Sequence, residues 1–266
     1  MATERRRAER GLALVSVLWG VAILSLIAAA MLTASLTGAY VGRNLWNATR
    51  GASLDEAAID HAILSLMDGR RRPQVDGSAD TFRFEGTTIR VWIQDESGKI
   101  NLNFADKDLL QGLFGSAGLG RDAAETLAGR IVARRLPQDP QGAAPAVAFR
   151  SVDELLAVPG MTPELCARVG PALTVFGRNG ALNRDVAPRE VLLALPDMDE
   201  KSVADLLRAR QVARDRNPPP ATPAAAADAT FTVTAEARVD GARTVRAAVV
   251  QFTGDPEKPY WFLSWK

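Results

Sequence analysis

The sequence predicts an α+β chain in which a long N-terminal helix packs on an antiparallel sheet and a large all-helical segment interrupts that sheet. Three observations predict it. Residues 12–42 carry no charged side chain and follow a short arginine-rich head. Apolar and polar residues alternate with period two near residues 82–93 and again over 231–251, the pattern of half-buried strands. Between those two stretches the apolar period is helical.

The head supplies Arg5, Arg6, Arg7 and Arg10 against Glu4 and Glu9. A hydrocarbon core about 30 Å thick needs roughly 20 apolar helical residues, and 12–36 provides them. The segment is expected to cross a membrane once, arginine-rich end cytoplasmic by the positive-inside rule and the rest of the chain on the other side. Beyond it the helix is expected to turn amphipathic, with Leu45, Ala52, Ile59, Ala62, Ile63 and Leu66 on one side and Asp55, Glu56 and Asp60 on the other. It should end near Asp68-Gly69, before Arg70-Arg71-Arg72-Pro73.

A strand pair follows: Phe82 and Phe84, a turn at Glu85-Gly86, then Ile89, Val91 and Ile93, closed by Asp95-Glu96-Ser97-Gly98. The next helical stretch, 122–136, places Ala124, Leu127, Ile131 and Leu136 on one side, and 137–145 reads as a loop rich in proline, glycine and glutamine. An internal repeat comes next, Glu154-Leu155-Leu156-Ala157-Val158-Pro159-Gly160-Met161 aligning with Val191-Leu192-Leu193-Ala194-Leu195-Pro196-Asp197-Met198. Ser151 and Glu154 have capping-box spacing, and Thr162-Pro163 is an N-cap with proline at the first helical position. Both units read as helix-hairpin-helix pairs with turns at Pro159, Gly160 and Pro196, Asp197. A proline- and alanine-rich linker, 217–228, ends the block. Phe231, Val233, Ala235, Ala237 and Val239 then alternate up to a two-residue turn at Asp240-Gly241. Val245, Ala247, Val249 and Gln251 carry the alternation on, and 260–265 forms a last strand.

The segments are therefore 1–11 as leader, 12–69 as N-terminal helix, 70–100 as the first part of the β domain, 101–216 as the helical insertion, 217–228 as linker and 229–266 as the second part of the β domain. A chain of 47% hydrophobic residues with net charge +1 has no basic excess that would call for nucleic acid. Hairpin amides of such repeats grip phosphate when glycines and cations surround them. Here Asp197, Asp199 and Glu200 make the second hairpin acidic, so no nucleic-acid partner is expected. The repeats themselves allow another reading, a membrane-anchored helix-hairpin-helix protein for DNA binding or uptake. The single Cys166 excludes an intramolecular disulfide and reads as core filling. His61, the one histidine, sits on the long helix with no nucleophile pattern beside it, so no catalytic constellation and no enzyme activity is expected.

Arg10-Gly11-Leu12-Ala13-Leu14 looks like a type III signal peptide, which implies cleavage between Gly11 and Leu12 by a prepilin peptidase and methylation of the new amino terminus. Ser16 would then be the fifth mature residue, where most pilins and pseudopilins carry glutamate. With Asp95-Glu96-Ser97-Gly98-Lys99-Ile100-Asn101-Leu102-Asn103, the Val158-Pro159-Gly160-Met161 repeat and the closing Trp265, the chain resembles the general secretion pathway protein K family of minor pseudopilins. The resemblance implies a pilin-like domain with a helical insertion, anchored in the bacterial inner membrane with the domain in the periplasm, and partnered by minor pseudopilins of the I and J types at the tip of the pseudopilus of a type II secretion system; a type IV minor pilin is the alternative within the same resemblance. It also implies that calcium can be bound. Asp95–Ser97 and Asp255–Glu257 are oxygen-rich, but neither has the alternating carboxylates of a dedicated calcium loop, and no ligand is assigned.

Overall fold

The computed structural model describes residues 2–68, 73–135, 149–177, 180–216 and 227–266, with backbone alone over 2–16, 34, 36, 37 and 214–216. The 137–145 loop, Leu136, Arg70–72 and most of the 217–228 linker lie outside the described residues. Helix α1 (Ala2–Met67) runs unbroken, and Asp68 N still donates to Leu64 O (2.9 Å) at its end. A five-stranded antiparallel sheet covers its second half, in the order β1 (Asp76–Phe84), β2 (Thr87–Asp95), β5 (Thr230–Val239), β6 (Ala242–Phe252), β7 (Tyr260–Trp265). Strands β2 and β5 are neighbours, Arg90 opposite Glu236, although the whole helical block lies between them in the chain.

The β1–β2 and β5–β6 hairpins each turn on two residues with positive φ, Glu85 (46°) with Gly86 (76°) and Asp240 (46°) with Gly241 (86°). This is the type I′ geometry whose twist matches that of the flanking strands. Under the sheet, Leu54, Ala58, Ile59, Ala62, Ile63 and Leu66 of α1 meet Ile89, Val91 and Ile93 of β2 and Phe231, Val233 and Ala235 of β5. The inward set of β6 is Ala248, Val250 and Phe252 together with Thr244 and Arg246, whereas Val245, Ala247 and Val249 face outward. The register explains this phase: a two-residue turn pairs Val239 with Ala242, hence Ala237 with Thr244 and Val233 with Ala248, and cross-strand partners share a face.

Asp55 departs from the sequence reading. It is 0% exposed, beneath the sheet rather than on the outer side of α1 with Glu56 and Asp60. The cause lies far away in the chain, where β6 brings Thr244 and Arg246 over this turn of the helix.

The helical block packs α2 (Lys107–Ser116), α3 (Arg121–Arg135), α4 (Pro163–Val169), α5 (Arg189–Leu193) and α6 (Glu200–Arg216) around a second core. Phe114, Leu110, Leu127, Ile131, Phe149 and Leu192 lie at its centre. A two-residue parallel pair, β3 (Ile100–Asn101) with β4 (Leu173–Thr174), ties its entry to its middle. The first repeat begins with a 3₁₀ segment, Val152–Ala157, in place of an α-helix. Ser151 makes no side-chain cap bond there, and Glu154 Oε1 accepts from the Arg150 amide (3.2 Å), so the capping box does not close. Thr162 does cap α4, accepting from the Leu165 amide (3.2 Å) with Pro163 in the first turn.

Candidate assembly surfaces

The first half of α1 is an apolar rod. Leu18, Leu24, Leu26 and Met31 are exposed, and the helix is long and apolar enough to cross a membrane by length and composition. Gly11, Leu12 and Ser16 lie on its backbone path, and their side chains are outside the described residues. Where the apolar stretch ends, Tyr40 and Trp46 project outward on either side of Arg43. Tyrosine and tryptophan concentrate at membrane–water interfaces, with one end apolar and one wet. Arg43 reaches Asp240, in the β5–β6 turn, at 3.9 Å. That contact sets the two-hairpin end of the sheet beside the level at which the apolar stretch of the helix ends.

Asp55 sits further along the helix, outside the apolar stretch. Neither of its carboxylate oxygens has a hydrogen-bond partner, nor does the buried Thr244 hydroxyl. Burial pushes its pKa up to about 6, with Thr244, the Ala237 backbone and Arg246 pulling the other way and Glu236 adding slightly to the rise. The interface between α1 and the sheet therefore contains an ionisable group whose charge these neighbours compensate only in part. His61, on the same helix, stacks on Phe82 (4.3 Å between ring centroids), and its carbonyl accepts from Ser65 Oγ (2.8 Å).

The sheet joins the helical block through a polar seam. Glu96 is nearly buried and accepts from Lys99 Nζ and Thr232 Oγ1, each at 2.6 Å. Gln94 Nε2 donates to Val186 O (3.0 Å), and the Asn183 amide donates to Ser97 O (2.9 Å). At Gly98 an added Cβ would stand 2.5 Å from Val186 O, a backbone atom with no freedom to retreat. A cleft of about 380 Å³ opens here, lined among others by Asp95, Glu96, Asn101 and Asp228. Asp95, whose pKa burial raises, accepts from the Ser97 amide (2.8 Å), and Asp255 accepts from the Glu257 amide (2.9 Å). Both oxygen-rich loops thus spend carboxylate lone pairs on their own backbone, and among the described residues no group of three or more His, Cys, Asp or Glu converges as a metal-binding set.

The two repeat turns share one backbone bond, Val158 O with the Met161 amide (3.0 Å) and Leu195 O with the Met198 amide (3.2 Å). They differ in conformation. Gly160 has φ +95° after Pro159, the type II pattern, whereas Asp197 after Pro196 is not among the residues with positive φ, as in a type I turn. An arginine from outside the repeat contacts each turn. Arg130 donates to Pro159 O (2.6 Å) across the first turn. In the second, Arg184 donates to Asp197 (3.0 Å), and that bond holds the Asp197 carboxyl below the usual range. Sequence reasoning missed Arg130 and Arg184 because each comes from outside its repeat.

These surfaces define an α+β chain, a long helix with a bare apolar first half and a sheet-covered second half, carrying an inserted helical block. Among solved structures, the chain is similar to a chain of the GspK-GspI-GspJ complex from the enterotoxigenic Escherichia coli Type 2 Secretion System. The identity is 15%, the alignment covers 87% of this chain and 98% of that one, and the TM-score is 0.45. No protein-family model and no curated protein sequence matches the chain.

Proposed function

We propose that this chain is a minor pseudopilin of a type II secretion system, a non-enzymatic subunit that caps the tip of a periplasmic pseudopilus with partners of the I and J types. The observation that carries the reading is the insertion of a whole helical block between β2 and β5, which are adjacent in the sheet. Subunits of a filament shaft repeat at close spacing along their N-terminal helices. A head widened by such a block suits an end position, where one side has no neighbour. Ser16 supports the same position, because after cleavage at Gly11-Leu12 it cannot pair with the ammonium of an adjacent subunit, and an unpaired ammonium in an apolar bundle is costly. Calcium stays a cofactor that the family resemblance allows, with no ligand assigned.

Two measurements test this. Co-expression of the full chain with I- and J-type pseudopilins of its own system, followed by native mass measurement, should give a complex with one copy of this chain; a homopolymer, or no association, contradicts the reading. The membrane-extracted protein should begin at a methylated Leu12, and Gly11→Val should leave the precursor uncut and unassembled.

A further inference from the structure

One carboxylate on the outer face of the sheet gathers three guanidinium groups. Glu236 lies within 2.8 Å of Arg243, 3.0 Å of Arg238 and 3.9 Å of Arg90. Its side chain is 4% exposed, but those of Arg238, Arg243 and Arg90 are 67%, 61% and 51% exposed. Arg83 is exposed and lies opposite Thr88, on the same outward face by strand alternation. A single carboxylate cannot neutralise three guanidiniums, so the cluster keeps an excess of positive charge whose direction is fixed by its buried hub. Guanidinium forks held in place this way match the oxygens of a phosphate.

The position of the cluster selects the source of that phosphate. Arg238 and Arg243 face each other one residue pair in from Val239 and Ala242, next to the Asp240-Gly241 turn. Asp240 in that turn contacts Arg43, which lies between the outward Tyr40 and Trp46 at the end of the apolar rod. With a rise of 1.5 Å per residue, a helix over 12–42 is about as long as a bilayer with its head groups, roughly 40–45 Å thick. The turn therefore stands at head-group depth, and Arg238 and Arg243 lie within about two residues of it, roughly 7 Å along the strand.

We infer that Arg238 and Arg243, organised by Glu236, bind the phosphate of anionic phospholipid head groups on the leaflet that faces the sheet. The contact would orient the head on the membrane and hold it there until assembly lifts it. The inference rests on the membrane reading of α1, and the test separates the two.

The full chain is reconstituted into nanodiscs of phosphatidylcholine alone and of phosphatidylcholine with phosphatidylglycerol. Arginine modification by phenylglyoxal is then followed by peptide mass spectrometry, with Arg208 in the exposed part of α6 as internal reference. Arg238 and Arg243 should react at least threefold more slowly in the anionic discs, with Arg208 unchanged, and Arg243→Gln should remove most of the difference in protection at Arg238. Equal reactivity in both discs, with the chain firmly inserted, overturns the lipid site alone and leaves a protein partner as the occupant. Equal protection by millimolar inorganic phosphate in neutral discs overturns it too, in favour of a free-anion site. A chain that enters neither disc overturns the membrane reading and the lipid site together.

Discussion

The two halves of α1 are built from similar apolar residues but answer to different surroundings. In the first half Leu24, Leu26 and Met31 point outward all round the helix, and Gly38 and Gly42 have nothing within 4 Å of where a Cβ would be. In the second half one face closes on the sheet so tightly that Ile59 is 0% exposed and Gly51 touches Thr244. A helix apolar on every side needs an apolar medium, whereas an amphipathic one needs a partner face. The contrast places head stability in the second half, while the first half contributes no residue to the core under the sheet.

The largest difference should appear on truncating a large apolar residue in each half. Ile59→Ala removes packing between α1 and β2–β5 and should cost about 3 kcal/mol of head stability, in the range for a buried isoleucine. Leu26→Ala touches nothing in the head and should change it by less than about 0.5 kcal/mol. Thermal unfolding of the full chain in detergent, followed by near-UV circular dichroism, measures both. Similar losses from the two substitutions would mean that the halves are energetically one unit.

Asp55 sharpens the comparison from the polar side. Its folded pKa is raised, to about 6, while in the unfolded chain it stays near 3.8. Below about pH 4 both states are protonated and the group is neutral in its effect. Between those values the folded state holds the proton and the unfolded state does not, so stability falls as pH rises and levels off above about 6. The total loss is about 2–3 kcal/mol. Asp55→Asn should flatten that part of the profile and raise stability at pH 7.5, as measured by denaturant unfolding across pH 4 to 8. An unchanged slope would show that Asp55 is solvated in the folded state.

Much of this was legible in the chain. Alternation in 231–239 and the Asp240-Gly241 turn specify β5 and its hairpin, because period two and paired positive φ are local demands. The helix, its apolar first half and the Thr162-Pro163 cap are local too. What escaped was set by distant partners. Asp55 reads as a solvent-facing acid until β6 lays Thr244 and Arg246 over it, and the phase of β6 follows from pairing rather than from its own valines. The 3₁₀ start of the first repeat lacks its capping box because Glu154 turns to the Arg150 amide and to Arg134 instead (3.1 Å). In the candidate surfaces, alternation alone would have aligned Arg90, Glu236, Arg238 and Arg243 on one face once β2 and β5 were known to be neighbours. That pairing spans the helical block, and no local pattern reports it.

The smallest effect, and the finest test of the contrast, lies in the glycines of α1. Glycine to alanine in a helix interior gains about 1 kcal/mol from propensity alone. At Gly38 and Gly42, where nothing faces the added methyl, that gain should appear only as helix content and leave head stability unmoved. At Gly51 the Cβ would stand 2.5 Å from Thr244 Oγ1 and 2.9 Å from its Cγ2. Threonine is branched at Cβ, so rotating one branch away brings another toward the helix, and overpacking of this kind costs about 1–3 kcal/mol. Gly51→Ala should therefore lose about 1 kcal/mol net, whereas Gly51→Ala with Thr244→Ala should recover it, because the second truncation removes both offending atoms. A double-mutant cycle on thermal unfolding gives the coupling directly. Additive losses would mean that α1 and β6 approach less closely at this turn than their packing implies, and the boundary between the two halves of the helix would then lie beyond Gly51.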